Sequence, residues 1–248
     1  MNKTFLSFSA GLAALMACAS GLAAEPAPDA RVVVMGERDA EWGSYRYAYK
    51  AGAMFEAITR SRPLIQAHMQ VRPIEKNASL EGLTIQLAGA RTSMMLPVDA
   101  IGRVTVPLLK EPYQDDAVLR LNRSKGLYYF SGRFSVRERE DGVYPLADLR
   151  AACDQMLSAQ RESGYRIRLI GKRCAGVRFV YRLSEVLSPV SLQSAGAAPV
   201  VLPLVEGQPF EGTGMGTYKT AIYRFADWPA AGQLLAGQRP LAIGTLYE

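Results

Sequence analysis

Four arginines carry the most specific chemical signal in the sequence. Arg166 and Arg168 alternate with Ile167 and Leu169, and Arg178 and Arg182 alternate with Val177, Phe179 and Tyr181. Successive side chains of a strand point to opposite faces. If residues 165–170 and 177–183 are strands of one hairpin, then Arg166, Arg168, Arg178 and Arg182 share a sheet face. Such a face attracts anions and holds phosphate or carboxylate through paired hydrogen bonds. Residues 144–182 contain eight basic and three acidic residues, a net +5 that accounts for most of the chain's +6. The plainer reading is the solvated side of a two-faced sheet, with arginine stems covering apolar surface.

Other reactive side chains are sparse. His68 is the only histidine, so no two-histidine metal site can form, and its neighbours Gln66, Ala67 and Met69 assign it a structural or surface role. The carboxylates cluster in turn-like groups: Glu37, Asp39 and Glu41; Asp115 and Asp116; Glu138, Glu140 and Asp141. A glycosidase needs two carboxylates facing each other across a sugar, and sequence neighbours in a turn rarely do this, so solvated loops are expected. No group has the spacing of a calcium loop. The glycines of residues 212–216 imitate a phosphate loop, but a strand rather than a helix is expected to follow. The serines fit no nucleophile elbow. Neither catalytic residues nor a metal or cofactor site is therefore expected. Tyr45, Tyr47 and Tyr49 would line up for sugar stacking in a strand. In a helix, Tyr45 and Tyr49 are neighbours and pack inward.

The amino terminus bears on compartment. Lys3 opens a short positive segment, residues 5–19 are apolar and uncharged, and Gly21 to Ala24 are small or apolar. This is the tripartite pattern of a secretory signal peptide, with residues 1–24 removed. An alternative is present: Leu15, Met16, Ala17 and Cys18 resemble the lipobox of bacterial lipoproteins, with Met16 larger than is usual. That resemblance implies acylation and membrane anchoring through Cys18. No later stretch is apolar for long enough to span a bilayer. Removal of residues 1–24 takes the net charge from +6 to +5 and leaves Cys153 and Cys174. In an oxidising compartment these two are expected to pair, closing a loop of about 20 residues worth about 3 kcal/mol. Two free thiols are the rival reading.

The elements that must position these residues follow from periodicity. Residues 31–36 have strand character and 37–43 are turn-like. Tyr47, Ala51, Met54, Phe55 and Ile58 recur at helical spacing, predicting a helix over 47–60 that Pro63 terminates. Loose alternation allows a strand over 64–71. Alternation over 83–87, 93–98, 104–108, 118–121 and 127–136 predicts an antiparallel meander, with 122–126 as a hairpin loop. Residues 99–107 are similar to hairpins of bacterial extracytoplasmic β-sandwich modules, a likeness of one turn and one strand. Leu146, Leu149, Cys153, Met156 and Leu157 form the stripe of a second helix over 145–163, with Gly164 as its cap. Residues 184–216 read mainly as loop with a strand at 200–205, and late strands are expected at 218–225 and 241–247.

The fold expected is α+β: mostly antiparallel β, a sandwich-like meander, with two helices. Its organisation would be the signal peptide 1–24, a β-rich region 25–142 with the first helix, and a helix with a disulfide-stapled sheet over 143–248. The function expected is that of a periplasmic or secreted envelope protein, non-enzymatic, binding a component through the basic face. An envelope protein, an anionic lipid headgroup or a polysaccharide would be its partner, and nucleic acid is excluded for an exported chain. The alternatives are an envelope hydrolase acting on glycan or peptide, and a structural assembly subunit.

Overall fold

The computed structural model describes residues 40–248 except 76, 77, 187, 189, 212, 213 and 229, with the backbone alone for residues 40–42. The signal peptide, Cys18 and the strand expected at 31–36 lie outside the described residues.

In chain order the first elements are β1 (Ala40–Ser44), α1 (Tyr45–Arg60), β2 (Ile65–Pro73), β3 (Thr84–Ala88), β4 (Ser93–Pro97) and β5 (Arg103–Val104). The short α2 (Lys110–Gln114), β6 (Val118–Ser124), β7 (Tyr128–Val136), β8 (Val143–Pro145) and α3 (Leu146–Gln160) follow. The remainder is β9 (Cys174–Tyr181), β10 (Val190–Gln193), β11 (Val200–Val201), β12 (Leu204–Gly207), β13 (Tyr218–Arg224), β14 (Gln233–Ala236) and β15 (Ala242–Tyr247). All pairings are antiparallel, in three sheets ordered β1-β6-β3-β4, β11-β10-β14-β8 and β12-β13-β9-β15-β7-β2-β5. The fold is thus α+β and mostly antiparallel, as periodicity implied. The largest sheet draws strands from both sides of residue 142, and the described residues form one compact unit.

Helix α1 forms where expected, but its inner face is turned. Tyr45, Ala48, Tyr49, Phe55 and Ile58 pack inward, while Tyr47 is 78% exposed and Met54 43%. Tyr45 sets this rotation: its hydroxyl donates to the Pro107 carbonyl at 2.6 Å and accepts from the Leu109 amide at 2.8 Å. Each residue turns the helix by about 100°, so Tyr47 points away from the face that Tyr45 anchors. Tyr45 and Tyr49 do pack together, with ring centroids 6.1 Å apart, and Tyr49 stacks on Tyr113 at 4.7 Å.

Helix α3 buries its whole stripe, Leu146, Leu149, Cys153, Met156 and Leu157. It shares a core with Val177, Phe179 and Ile243 of the largest sheet. Full burial of each such side chain contributes about 1.5–3 kcal/mol. A second core gathers Ile85, Leu87, Leu119 and Leu121 around Tyr45 and Val71. Cys153 and Cys174 lie at disulfide distance, with Cα atoms 5.9 Å apart, joining α3 to the start of β9.

Several expectations are corrected. Residues 165–170 form no strand: a π turn covers Arg161–Tyr165, with Gly164 at φ 104°, and a 3-10 turn covers Ile167–Leu169. Leu169 is buried, whereas Ile167 is 84% and Ile170 77% exposed. The reason is edge availability. β13 and β15 already occupy both sides of β9, so no ladder is free for this segment. Residues 122–126 join two sheets rather than one hairpin, because β6 pairs with β1 and β3 while β7 pairs with β2 and β15. Part of the turn-like 37–43 is strand β1, the strand expected at 104–108 shrinks to β5, and β10 and β14 arise where none was expected.

Candidate functional site

β2 and β7 form the longest ladder, with Arg72 opposite Tyr129, Gln70 opposite Ser131 and His68 opposite Arg133. Residues directly opposite in a ladder share a face. One face of this pair is therefore polar, yet much of it is covered. Gln70 is fully buried and acts as a clamp. Its amide donates to the Ile101 carbonyl at 2.7 Å, and its carbonyl oxygen accepts from Arg133 Nε at 2.7 Å. The Arg133 guanidinium lies 4.2 Å from the Phe210 ring centroid, a cation–π contact that holds it from the other side.

The β7–β15 ladder consists of Ile243 opposite Val136. Toward Gly132 the two strands part, and a cleft of about 480 Å³ opens there. Helix α1 lines it with Met54 and Phe55, and α3 with Met156 and Gln160. Arg72, Arg133 and Arg168 all reach its wall. Among the described residues none of these three is in an ion pair with a carboxylate. Arg72 Nε is buried without a hydrogen-bond partner, and its guanidinium faces the Tyr129 ring at 5.2 Å. Burial, reinforced by Arg72, pushes the Arg133 guanidinium down to about 10. Glu211 is the carboxylate in the lining, so the wall keeps an excess of positive charge. Burial raises the Tyr247 hydroxyl of the same wall to about 12, keeping it a neutral phenol. Chemically, such a lining can accept an anion. Guanidinium groups take carboxylate or phosphate oxygens as bidentate partners.

The four arginines singled out by alternation do not share a face. Arg168 joins the cleft from the 3-10 turn. Arg166 is exposed, and its Nε donates to the Arg161 carbonyl at 3.3 Å. Arg178 stays on the sheet opposite Gly244 and Ile222, where it donates to the Gln208 carbonyl at 2.6 Å. Arg182 lies beyond the end of β9 and pairs with Glu185 at 3.6 Å. The anion face required a hairpin that β9 has no edge to make. The arginines that do converge, Arg72 and Arg133, lie 61 positions apart. The legible signal for them was the alternation of Tyr129, Ser131 and Arg133 on one face of their strand, matched by Gln66, His68, Gln70 and Arg72 in another.

A larger cleft of about 600 Å³ lies between α1 and the sheets. Its wall is mainly apolar, with Ala51, Phe55, Met69, Val106, Leu108 and Phe130 among its residues. The two clefts share Phe55 and Gly132. The Phe55 ring rests on the bare backbone of Gly132, where any Cβ would collide with it.

His68 lines the larger cleft together with Ser131. Its Nε2 is buried without a partner, and the Ser131 hydroxyl donates to the main-chain carbonyl of Gln70 at 3.4 Å. Burial, then the charges of Arg103 and Arg133, hold the imidazole well below its usual pKa. The carboxylates are mostly paired to arginine. Asp116 bonds Arg46 at 2.7 Å, Asp115 bonds Arg91 at 3.4 Å and Asp141 bonds Arg139 at 2.9 Å. The Arg139 bond and the Val143 amide lower Asp141 to about 2. Glu138 departs from the solvated-turn expectation. Its side chain is 4% exposed, bonding Arg103 at 2.7 Å and accepting from Gln66 at 2.6 Å. The described residues contain no group of three metal-ligating side chains. In the glycine-rich segment, Gly212 and Thr213 lie outside the described residues, Met215 is buried, and a strand, β13, follows.

No family model, curated protein or solved structure matches this chain.

Proposed function

We propose that this chain is an exported, non-enzymatic binding protein of the cell envelope, periplasmic or secreted, that holds an anionic group of an envelope component in the arginine cleft. One observation carries the reading: Arg72, Arg133 and Arg168 line a single cleft with no carboxylate paired to any of them among the described residues. Unneutralised guanidinium groups that share a site repel each other and cost free energy, which an anionic ligand offsets on binding. Export is supported by the tripartite pattern of residues 1–24 and by the Cys153–Cys174 pair, whose chemistry suits an oxidising compartment. In the lipidated alternative, Cys18 would tether the same cleft to a membrane surface.

The test is calorimetric titration with inorganic phosphate at low ionic strength. Arg72→Gln and Arg168→Glu are expected to weaken binding at least tenfold, since a charge-assisted hydrogen bond contributes about 1.5–3 kcal/mol. Arg166→Glu and Arg182→Glu, outside the cleft, are expected to change it less than about threefold through long-range charge alone. Equal losses at all four positions, or no phosphate binding by the unmodified protein, would overturn the assignment.

A further inference from the structure

The arginine cleft does not end in solvent on every side. Phe55 and Gly132 belong to its wall and also to the wall of the apolar cleft beneath α1. On one side of that shared wall stand Arg133 and Arg72. On the other stand Ala51, Met69, Val106, Leu108 and Phe130. Between them the Phe55 ring is laid over Gly132. Phe55 is the one side chain common to both linings, since Gly132 has none.

Resting on the reading of the arginine cleft as an anion site, we infer that the full ligand is a single-chain anionic amphiphile: a carboxylate or phosphate head held by Arg72, Arg133 and Arg168, and an acyl tail laid along α1 in the neighbouring apolar cleft. Charge complementarity places the head: Arg72, Arg133 and Arg168 stand on one side of Phe55, whereas the arginine on the other side, Arg137, already donates to the Pro63 and Ile65 carbonyls. The tail follows from the lining and from the size, about 600 Å³, which falls within the range of cavities that bury a small organic ligand. A free inorganic anion would leave this apolar wall unused. A neutral lipid would leave the guanidinium groups without a partner.

Alkyl chain length supplies the test. The full chain is titrated with saturated fatty acids of increasing length, below their micellar concentrations, and with lauryl phosphate, neutral monolaurin and inorganic phosphate. Burying one methylene tightens binding by about two- to fourfold, so affinity is expected to climb steeply with length until the cleft is full. Laurate and lauryl phosphate are each expected to bind at least tenfold more tightly than monolaurin, and the tighter of the two identifies the head group. Arg133→Gln is expected to remove that preference. Ala51→Trp, which fills the apolar cleft from α1, is expected to flatten the length dependence while leaving phosphate affinity within twofold. Retained phosphate binding shows that this variant is folded, and Val106→Trp repeats the block from the opposite wall. If phosphate binds in an arginine-dependent way but length has no effect, the tail site is wrong and the anion site stands. If no anion binds through the arginines, both fall. Length-dependent binding that ignores both tryptophan substitutions also overturns the inference, since the tail then lies elsewhere.

Discussion

Arg103 and Arg133 flank β2 on the same face of the same sheet, opposite Gln70 and His68 respectively. Both are largely withdrawn from water, yet their surroundings differ. Around Arg103, Asp99 accepts at 2.7 Å and Glu138 at 2.7 Å, and Asp99 also accepts the amides of Ile101 and Arg103. Burial works against that charge, but the two carboxylates outweigh it and raise the guanidinium above its ordinary value. Around Arg133 there is an amide oxygen, an aromatic face and another arginine, and the guanidinium is driven down. The first is a finished structural cluster. The second has no carboxylate partner among the described residues, which is what the proposed anion would supply. Two arginines of one face thus part company through their partner sets, more than through burial or residue type.

The largest test of this contrast is Glu138→Ala. It strands Arg103 with Asp99 and removes the acceptor of the Gln66 amide, so unfolding in urea should show a loss of about 3–5 kcal/mol. A loss under about 1 kcal/mol would make the Arg103 cluster as dispensable as a surface pair and erase the distinction. Reduction of the Cys153–Cys174 bridge should cost about 3 kcal/mol in the same assay. Because α3 carries Met156 and Gln160 into the Arg133 cleft, reduction should also weaken phosphate binding there. Unchanged binding in the reduced protein would show that the cleft does not depend on the position of α3.

Arg133→Met should affect binding more than stability. Removing a buried charge that lacks a carboxylate should cost about 1–3 kcal/mol, because Gln70 Oε1 loses its donor, while phosphate affinity falls at least tenfold. A stability loss as large as that of Glu138→Ala would identify Arg133 as a structural cation after all. The smallest effect concerns His68, which feels both arginines. Its folded-state pKa is depressed, so just below the unfolded value of 6.5 the unfolded chain binds more protons than the native one. The contribution to stability is therefore complete above pH 6.5 and is lost as pH falls through the window below it. Histidine NMR titration should place the imidazole below 6.5 in the unmodified protein and higher in Arg133→Met. An imidazole that titrates at its ordinary value would mean that neither burial nor the arginines act on it.

Much of the fold was legible because local periodicity and tertiary burial agreed. The α3 stripe from Leu146 to Leu157 is buried throughout, and β13 and β15 appear where alternation and the need for ladder partners put them. The failures have a common cause in non-local pairing. Residues 165–170 have a good strand pattern but no edge to join, so the chain coils and leaves Ile167 and Ile170 in water. Residues 122–126 look like a hairpin loop in sequence and serve as a corner between sheets. The candidate site suffered most. Of its three arginines only Arg168 was singled out by alternation, and for a pairing that does not form. Arg72 meets Arg133 through the β2–β7 register, which rests on hydrogen bonds between segments some sixty residues apart. Nothing in either segment alone specifies that meeting. Glu138 shows the same limit, since a charged turn in sequence conceals a carboxylate buried against Arg103.

The parting of β7 from β15 has a mechanical side. The seven-stranded sheet is two ribbons, β12-β13-β9-β15 and β7-β2-β5, joined at the single rung where Ile243 faces Val136. Such a joint resists little force along the strands by itself. Helix α3 lies over it like a splint, touching β7 on one ribbon and β9 on the other, with the Cys153–Cys174 bond riveting the splint to β9. Under a pulling force the molecule should therefore fail along this seam, and only after α3 lifts away.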